Sequence, residues 1–205
     1  MNDRRHLVIF ARYPVAGGGK RRLAADIGAV QAVRFQRARL MTLIHRFGAD
    51  PRWTTWLAVT PDRSGPWPPH IGAIGQGRGD LGQRMSTIMR RLPRGRAIII
   101  GTDIPSLAPY DIAEAFNALG SHDAVFGPAA DGGYWLVGLK RAPKIRLPFA
   151  DVRWSTRHAL ADTKRNLSDV SIGHVRTLED VDDARSLAQH SHWGRVCPPS
   201  FRGAR

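Results

Sequence analysis

Short apolar runs alternate along this chain with stretches of helical period. Leu7-Val8-Ile9-Phe10-Ala11 reads as a first buried strand, followed by a glycine-rich loop from Pro14 to Gly19. Val30, Val33, Met41, Ile44 and Phe47 recur at roughly helical spacing and predict a long helix from Val30 to Phe47. Thr54 to Thr60 is the second strand, Pro61 to Pro69 a loop, and Ile71 to Ile74 a short third strand. A helix over Leu81 to Leu92 precedes Ala97-Ile98-Ile99-Ile100, a continuous apolar run of the kind expected for a central parallel strand. Pro109 suits the first turn of the next helix, to Leu119.

The rhythm then changes. Ala124-Val125-Phe126 and Tyr134-Trp135-Leu136-Val137 read as two strands around a turn, able to pair with each other or to join the main sheet. Ser155 to Thr163 and Leu178 to Gln189 read as helices. The alternation predicts an α/β fold, a mostly parallel central sheet with helices on both faces. One domain over residues 1–191 and a C-terminal tail over 192–205 account for the chain. In such sheets ligands bind beyond the carboxyl ends of the strands, which nominates the Gly17 loop, the Asp103 loop and the Asp131 turn.

Composition narrows the class. The hydrophobic share of 42% is that of a globular protein. A lone cysteine, Cys197, excludes an internal disulfide and a cysteine zinc site. With no apolar run long enough for a signal core or a membrane span, a soluble, cytoplasmic protein is expected. The net charge of +14 favours anionic ligands, but only four of the 31 basic residues are lysines and none form a long run. Arginine use on this scale can reflect base composition, so weight falls on cations inside motifs.

Six segments carry candidate chemistry. Gly17-Gly18-Gly19-Lys20-Arg21-Arg22, directly after the first strand, lets backbone amides approach an anion while Lys20 and Arg22 add charge-assisted bonds. It lacks the Ser or Thr of a Walker loop, and solvated cations on a flexible loop remain the plain alternative. Asp103, in Gly101-Thr102-Asp103 at the end of the most apolar strand, is placed to hold Mg2+ or Mn2+ shared with substrate phosphates, or else to cap a turn. Asp131-Gly132-Gly133-Tyr134 reads as a turn able to admit a ligand closely. In Leu178-Glu179-Asp180-Val181-Asp182-Asp183, the acids suit a helix start or, at Asp182, a second metal ligand. In Gln76 to Met85, Asp80 reads as a cap of the helix that follows and Arg84 as a solvated cation; in Trp154-Ser155-Thr156, Ser155 or Thr156 reads as a cap.

Taken in order, Pro-x-x-Gly-x-x-Lys-x-Arg-Leu, Gln-x-x-Gly-Asp-Leu-Gly-x-Arg-Met, Gly-Thr-Asp-Ile-Pro-x-Leu, Gly-Pro-Ala-x-Asp-Gly-Gly-Tyr, Trp-Ser-Thr and Asp-Val-Asp resemble the GT-A-type glycosyltransferase-like proteins related to 2-phospholactate guanylyltransferase. These belong to the nucleotide-diphospho-sugar transferase superfamily, and the resemblance spans Leu7 to Leu187. It implies a GT-A fold, a nucleotide or nucleotide-sugar substrate, and Mg2+ or Mn2+ held by Asp103 and Asp182. It further implies nucleotide binding by Lys20, Arg22, Gly82 and Arg84, with Lys20 and Asp103 catalytic. The substrate side would be formed by Asp131, Gly132, Gly133, Tyr134, Ser155 and Thr156. The chain departs from the family where Arg21 replaces the usual Thr and where three glycines replace a bulkier run.

The reaction implied is transfer from a nucleotide-activated donor, in first place by a nucleotide-sugar glycosyltransferase. The alternative is a guanylyltransferase-like nucleotidyltransferase that joins an NTP to a phosphorylated acceptor and releases pyrophosphate. A non-catalytic nucleic-acid-binding protein competes from another class, but no helix-turn-helix, zinc-finger or RNP signature supports it.

Overall fold

A computed structural model describes residues 4–15, 17–18 and 20–181. Among the described residues, seven strands form one sheet in the order β3-β2-β1-β4-β6-β5-β7. The strands are β1 (Arg5–Arg12), β2 (Thr54–Thr60), β3 (Gly72–Gly75), β4 (Arg96–Ile100), β5 (Ala124–Pro128), β6 (Tyr134–Leu139) and β7 (Ile172–His174). Of these strands, only β6 runs antiparallel to its neighbours β4 and β5. The two strands whose partners the sequence left open thus pair with each other, and β6 inserts beside β4.

The helices are α1 (Arg21–Ile27), α2 (Ala29–Gly48), α3 (Leu81–Arg91), α4 (Pro109–Ser121) and α5 (Ala159–Arg165). Strand alternation sends Leu7, Ile9, Ile98 and Ile100 into one core with Leu40, Leu43 and Phe47 of α2 and Ile112 and Phe116 of α4. Val8, Ala97 and Ile99 enter a second core with Met85, Ile88 and Met89 of α3. The sheet is therefore covered on both faces, as its continuous apolar strands require.

Three expectations need correction. The helix placed over Ser155 to Thr163 begins at Ala159, because residues before it form a turn in which the Ala159 amide donates to the Thr156 carbonyl at 3.1 Å. Leu178 does not start a helix. It forms a parallel bridge to Ala129, its amide donates to the Pro128 carbonyl at 3.1 Å, and the chain then reaches the Asp103 carbonyl through the Val181 amide. The rest of that predicted helix and the tail lie outside the described residues. Finally, α1 and β7 carry no periodic pattern and were not expected.

Candidate functional site

Parallel strands β1, β2, β3 and β4 end on one edge of the sheet, and antiparallel β6 begins there: Leu136 pairs with Ile100, and the Gly101 amide donates to the Trp135 carbonyl at 3.1 Å. The Gly17 loop, the Gln76–Arg84 segment, Asp103 and the Asp131 turn are thereby gathered on a common rim. The chain winds from β1 outward to β2 and β3, then returns to place β4 on the other side of β1. The crevice between β1 and β4 is thus the topological switch point where such sheets bind ligands.

Lys20 reaches across that crevice. Its backbone adopts the left-handed conformation (φ 50°) at the start of α1. Its Nζ lies 2.9 Å from Oδ2 of Asp103 and donates to the Val181 carbonyl at 2.6 Å. The Val181 amide in turn donates to the Asp103 carbonyl at 3.0 Å. One ammonium group therefore joins the glycine-rich loop, the loop after β4 and the C-terminal segment. Arg22 is exposed on α1, close along the chain. Asp182, the other proposed metal ligand, lies outside the described residues.

The Asp103 carboxylate remains 39% exposed, with Oδ1 3.3 Å from the Thr102 hydroxyl. It is a hard oxygen donor open to solvent on one side. Among the described residues, no group of three His, Cys, Asp or Glu side chains could hold a metal unaided. This donor set fits Mg2+ or Mn2+ arriving with phosphate oxygens rather than a cation caged by protein alone.

On the β2 side, Gln76 is almost fully buried, and its Nε2 donates to the Ala11 and Ala58 carbonyls at 2.9 Å each. These bonds clamp the ends of β1 and β2 together. Its Oε1 accepts from Nη1 of Arg84 at 2.9 Å, which fixes the guanidinium on the Phe10 ring. Burial pushes Arg84 below its ordinary pKa, and the charge of Arg12 adds to this. The Gln of the motif is thus an anchor for its Arg, a role the sequence did not disclose. Asp80 does what a cap should: its Oδ1 accepts from the Gln83 amide while the Gln83 side chain accepts from the Asp80 amide. Gly82 is buried where a Cβ would lie 2.4 Å from the Phe149 carbonyl oxygen and 2.9 Å from Trp154, so close packing accounts for that glycine.

On the β6 side, Asp131 Oδ1 accepts from the Gly133 amide at 2.8 Å, and Gly132 has φ 87°. A Cβ at Gly132 would lie 2.4 Å from the Arg157 carbonyl oxygen, so the turn is built against the segment carrying Ser155 and Thr156. The Thr156 hydroxyl donates to the Arg153 carbonyl at 2.7 Å and accepts from the His158 amide at 3.2 Å. Ser155 is exposed beside it in a left-handed conformation. Tyr134 packs edge-on against Phe126 and Trp154, and burial pushes its phenol far above the ordinary range. Its hydroxyl accepts from the Thr163 hydroxyl at 3.4 Å.

The sequence reading passed over Arg39. This α2 side chain is 2% exposed, and its Nη2 donates to the Ile104 carbonyl at 2.6 Å. Burial and the charge of Arg46 push its pKa down to about 10, while the Asp103 carboxylate opposes both.

Solved structures share this architecture. A protein provisionally named a nucleotide-diphospho-sugar transferase, from Desulfovibrio desulfuricans G20, superposes with a TM-score of 0.83 at 24% identity, over 95% of this chain and 89% of that one. The 4-diphosphocytidyl-2C-methyl-D-erythritol synthase of Anaerococcus prevotii DSM 20548 gives 0.58 at 10% identity, over 94% and 99%. Rv0371c of Mycobacterium tuberculosis H37Rv, solved as a manganese complex, gives 0.52 at 12% identity, over 91% and 97%. The chain therefore has the nucleotide-diphospho-sugar transferase fold. No curated protein matches its sequence. Residues 42–156, more than half of the chain, match the family described as uncharacterized proteins conserved in bacteria (DUF2064), and the chain belongs to that family.

Proposed function

We propose that this protein is a metal-dependent transferase that takes its donor group from a nucleotide, in first place a nucleotide-sugar glycosyltransferase. The observation that carries the reading is Lys20 spanning the switch-point crevice to Asp103. A cation on a glycine-rich loop and a half-open carboxylate face each other where the sheet receives a ligand. That is the complement needed by a metal-bound diphosphate.

Lys20 and Arg22 bind the phosphate oxygens from the loop side, and Lys20 exchanges its contact with Asp103 for one with the donor. Asp103, with Asp182 as the second ligand, would hold Mg2+ or Mn2+. The bound cation supplies neutralisation of the charge that builds on the leaving phosphate. Arg84, held by Gln76, borders the nucleotide on the β2 side, with Gly82 setting the packing of its helix. Asp131, Gly132, Gly133, Tyr134, Ser155 and Thr156 border the acceptor on the β6 side. In glycosyl transfer, the bond from the anomeric carbon to the diphosphate breaks and one to the acceptor oxygen forms. The nucleoside diphosphate leaves, and the acceptor proton passes to solvent.

Nucleotidyl transfer is the second reading. It is favoured by the likeness to the diphosphocytidyl synthase and by a lysine placed to meet a triphosphate. Thermal melts with nucleotide sugars and with NTPs, each with Mg2+ or Mn2+, test the common part, since a ligand of the native state raises Tm by mass action. No shift with any nucleotide at millimolar concentration overturns both readings. Release of nucleoside diphosphate from a nucleotide sugar selects the first; release of pyrophosphate from an NTP selects the second.

A further inference from the structure

The loop that presents Asp103 is held from three directions. The Asp103 carbonyl accepts from the Val181 amide at 3.0 Å and the Ile104 carbonyl from Arg39 at 2.6 Å. The Ser106 carbonyl accepts from Arg176 at 3.4 Å and the Leu107 carbonyl from Arg46 at 2.5 Å. Two of these donors are arginines of α2, two helical turns apart on one face. They differ in setting. Arg39 is 2% exposed and holds the residue next to Asp103, whereas Arg46 is exposed and holds the far end of the loop.

Burying a guanidinium is costly unless it is hydrogen-bonded and matched by opposite charge. A neutral side chain that packs under a loop would avoid that cost. The geometry ties this deep cation to the site through the Ile104 carbonyl, the residue after Asp103. The Asp103 charge opposes, without cancelling, the downward push of burial and Arg46 on the guanidinium.

We infer that Arg39 is a positioning residue for Asp103: by holding the Ile104 carbonyl from within the core, it fixes where the loop presents the carboxylate at the β1–β4 crevice. The inference rests on the reading of Asp103 as the metal-binding residue. Partners of this kind, behind a ligand, commonly change metal affinity by about tenfold to a hundredfold when removed. Arg39→Met keeps the bulk of the side chain and removes both the bond to Ile104 and the charge. Arg39→Lys keeps the charge but not the planar fork. Arg46→Met serves as a control that frees the same loop at Leu107, three residues beyond Ile104.

The measurement is Mn2+ affinity by electron paramagnetic resonance at fixed pH and saturating nucleotide, with Tm recorded for each variant. Arg39→Met is expected to weaken Mn2+ binding about tenfold or more, Arg39→Lys to recover part of it, and Arg46→Met to stay within about twofold of the parent. Equal losses in the Met variants at 39 and 46 would reduce Arg39 to a loop staple and overturn the inference. So would unchanged affinity in Arg39→Met. If Arg39→Met does not fold, Arg39→Lys carries the test: weakened Mn2+ binding supports the role and parental affinity overturns it. Asp103→Asn separates the two levels. If it binds Mn2+ as the parent does, or if the parent does not bind Mn2+, the metal reading fails and this inference with it.

Discussion

Lys20 and Asp103 face each other as an ion pair of 2.9 Å between the loop after β1 and the loop after β4. The Lys20 ammonium also donates to the Val181 carbonyl, so the carboxylate nearest the crevice is neutralised by a group that a phosphate would recruit. The pair makes the two loops depend on each other, and it sets the first two predictions.

Asp103→Asn preserves size and removes the charge. The side chain sits at a rim, 39% exposed, so its loss from the ion pair should leave the fold intact and Tm within a few degrees. Transferase activity should fall by about a hundredfold or more, as when a group that stabilises transition-state charge is removed. Turnover close to the parent's would take Asp103 out of the site. An unfolded variant would assign it a structural role instead.

Lys20→Ala and Arg22→Ala should each weaken nucleotide binding by about tenfold to a hundredfold, the worth of one charge-assisted contact to phosphate. Arg22→Lys should recover only part of the loss, because lysine lacks the planar fork. Arg21→Ala should matter less, since Arg21 stands where the family has Thr. Calorimetric titration of the variants with one nucleotide and metal checks the order. A larger loss at position 21 than at 20 or 22 would show that the loop is misaligned to the phosphate.

The sheet was legible because its strands are apolar on both faces: Leu7 to Ala11 and Ala97 to Ile100 leave little else they could be. The position of Asp103 followed from the end of β4. Elements without a period stayed hidden, α1 because its seven residues mix charges with alanines, and β7 because three residues carry no alternation. Arg39 was invisible for a different reason. A charged residue on a long helix reads as solvent-facing, and a partner distant in sequence such as the Ile104 carbonyl shows only in the tertiary structure. Gln76 was visible as a motif letter, but its bonds to two neighbouring strands depend on their being adjacent.

His6 should make stability fall in mild acid. It is 2% exposed, accepts from the Trp56 indole at Nδ1 (3.2 Å), and has Nε2 3.3 Å from the Arg94 carbonyl. Burial pushes its pKa below the ordinary value; the contact to Arg94 opposes this, and the charges of Arg141 and Arg4 reinforce it. The folded protein therefore holds His6 neutral where the unfolded chain, with a pKa of about 6.5, begins to take a proton. The stability this group contributes is present above that pH and is lost as the pH falls below it. Urea unfolding from roughly pH 7 to pH 5 should show a shallower decline in His6→Gln than in the parent. Parallel curves would mean that His6 titrates alike in both states.

Arg176→Met should destabilise the fold without touching nucleotide affinity. Asp111 is fully buried at the start of α4, where its Oδ2 accepts from the Ala108 amide at 2.8 Å. Arg176 donates to both carboxylate oxygens, through Nε at 2.5 Å and Nη2 at 2.9 Å, and so ties the segment after β7 to that helix. Removing the guanidinium leaves a buried carboxylate with its backbone bond but no opposite charge, and breaking such pairs costs about 3–5 kcal/mol. The Arg176 side chain is 49% exposed, so water can reach the vacated side and the low end, about 3 kcal/mol, is expected. Arg176→Met with Asp111→Asn should recover much of that loss, because the amide accepts from Ala108 without carrying charge. Urea midpoints for the two single variants and the double variant measure the coupling. Additive losses would show that Arg176 acts through packing of its stem, and a weakened nucleotide titration in Arg176→Met would place this pair in the site rather than behind it.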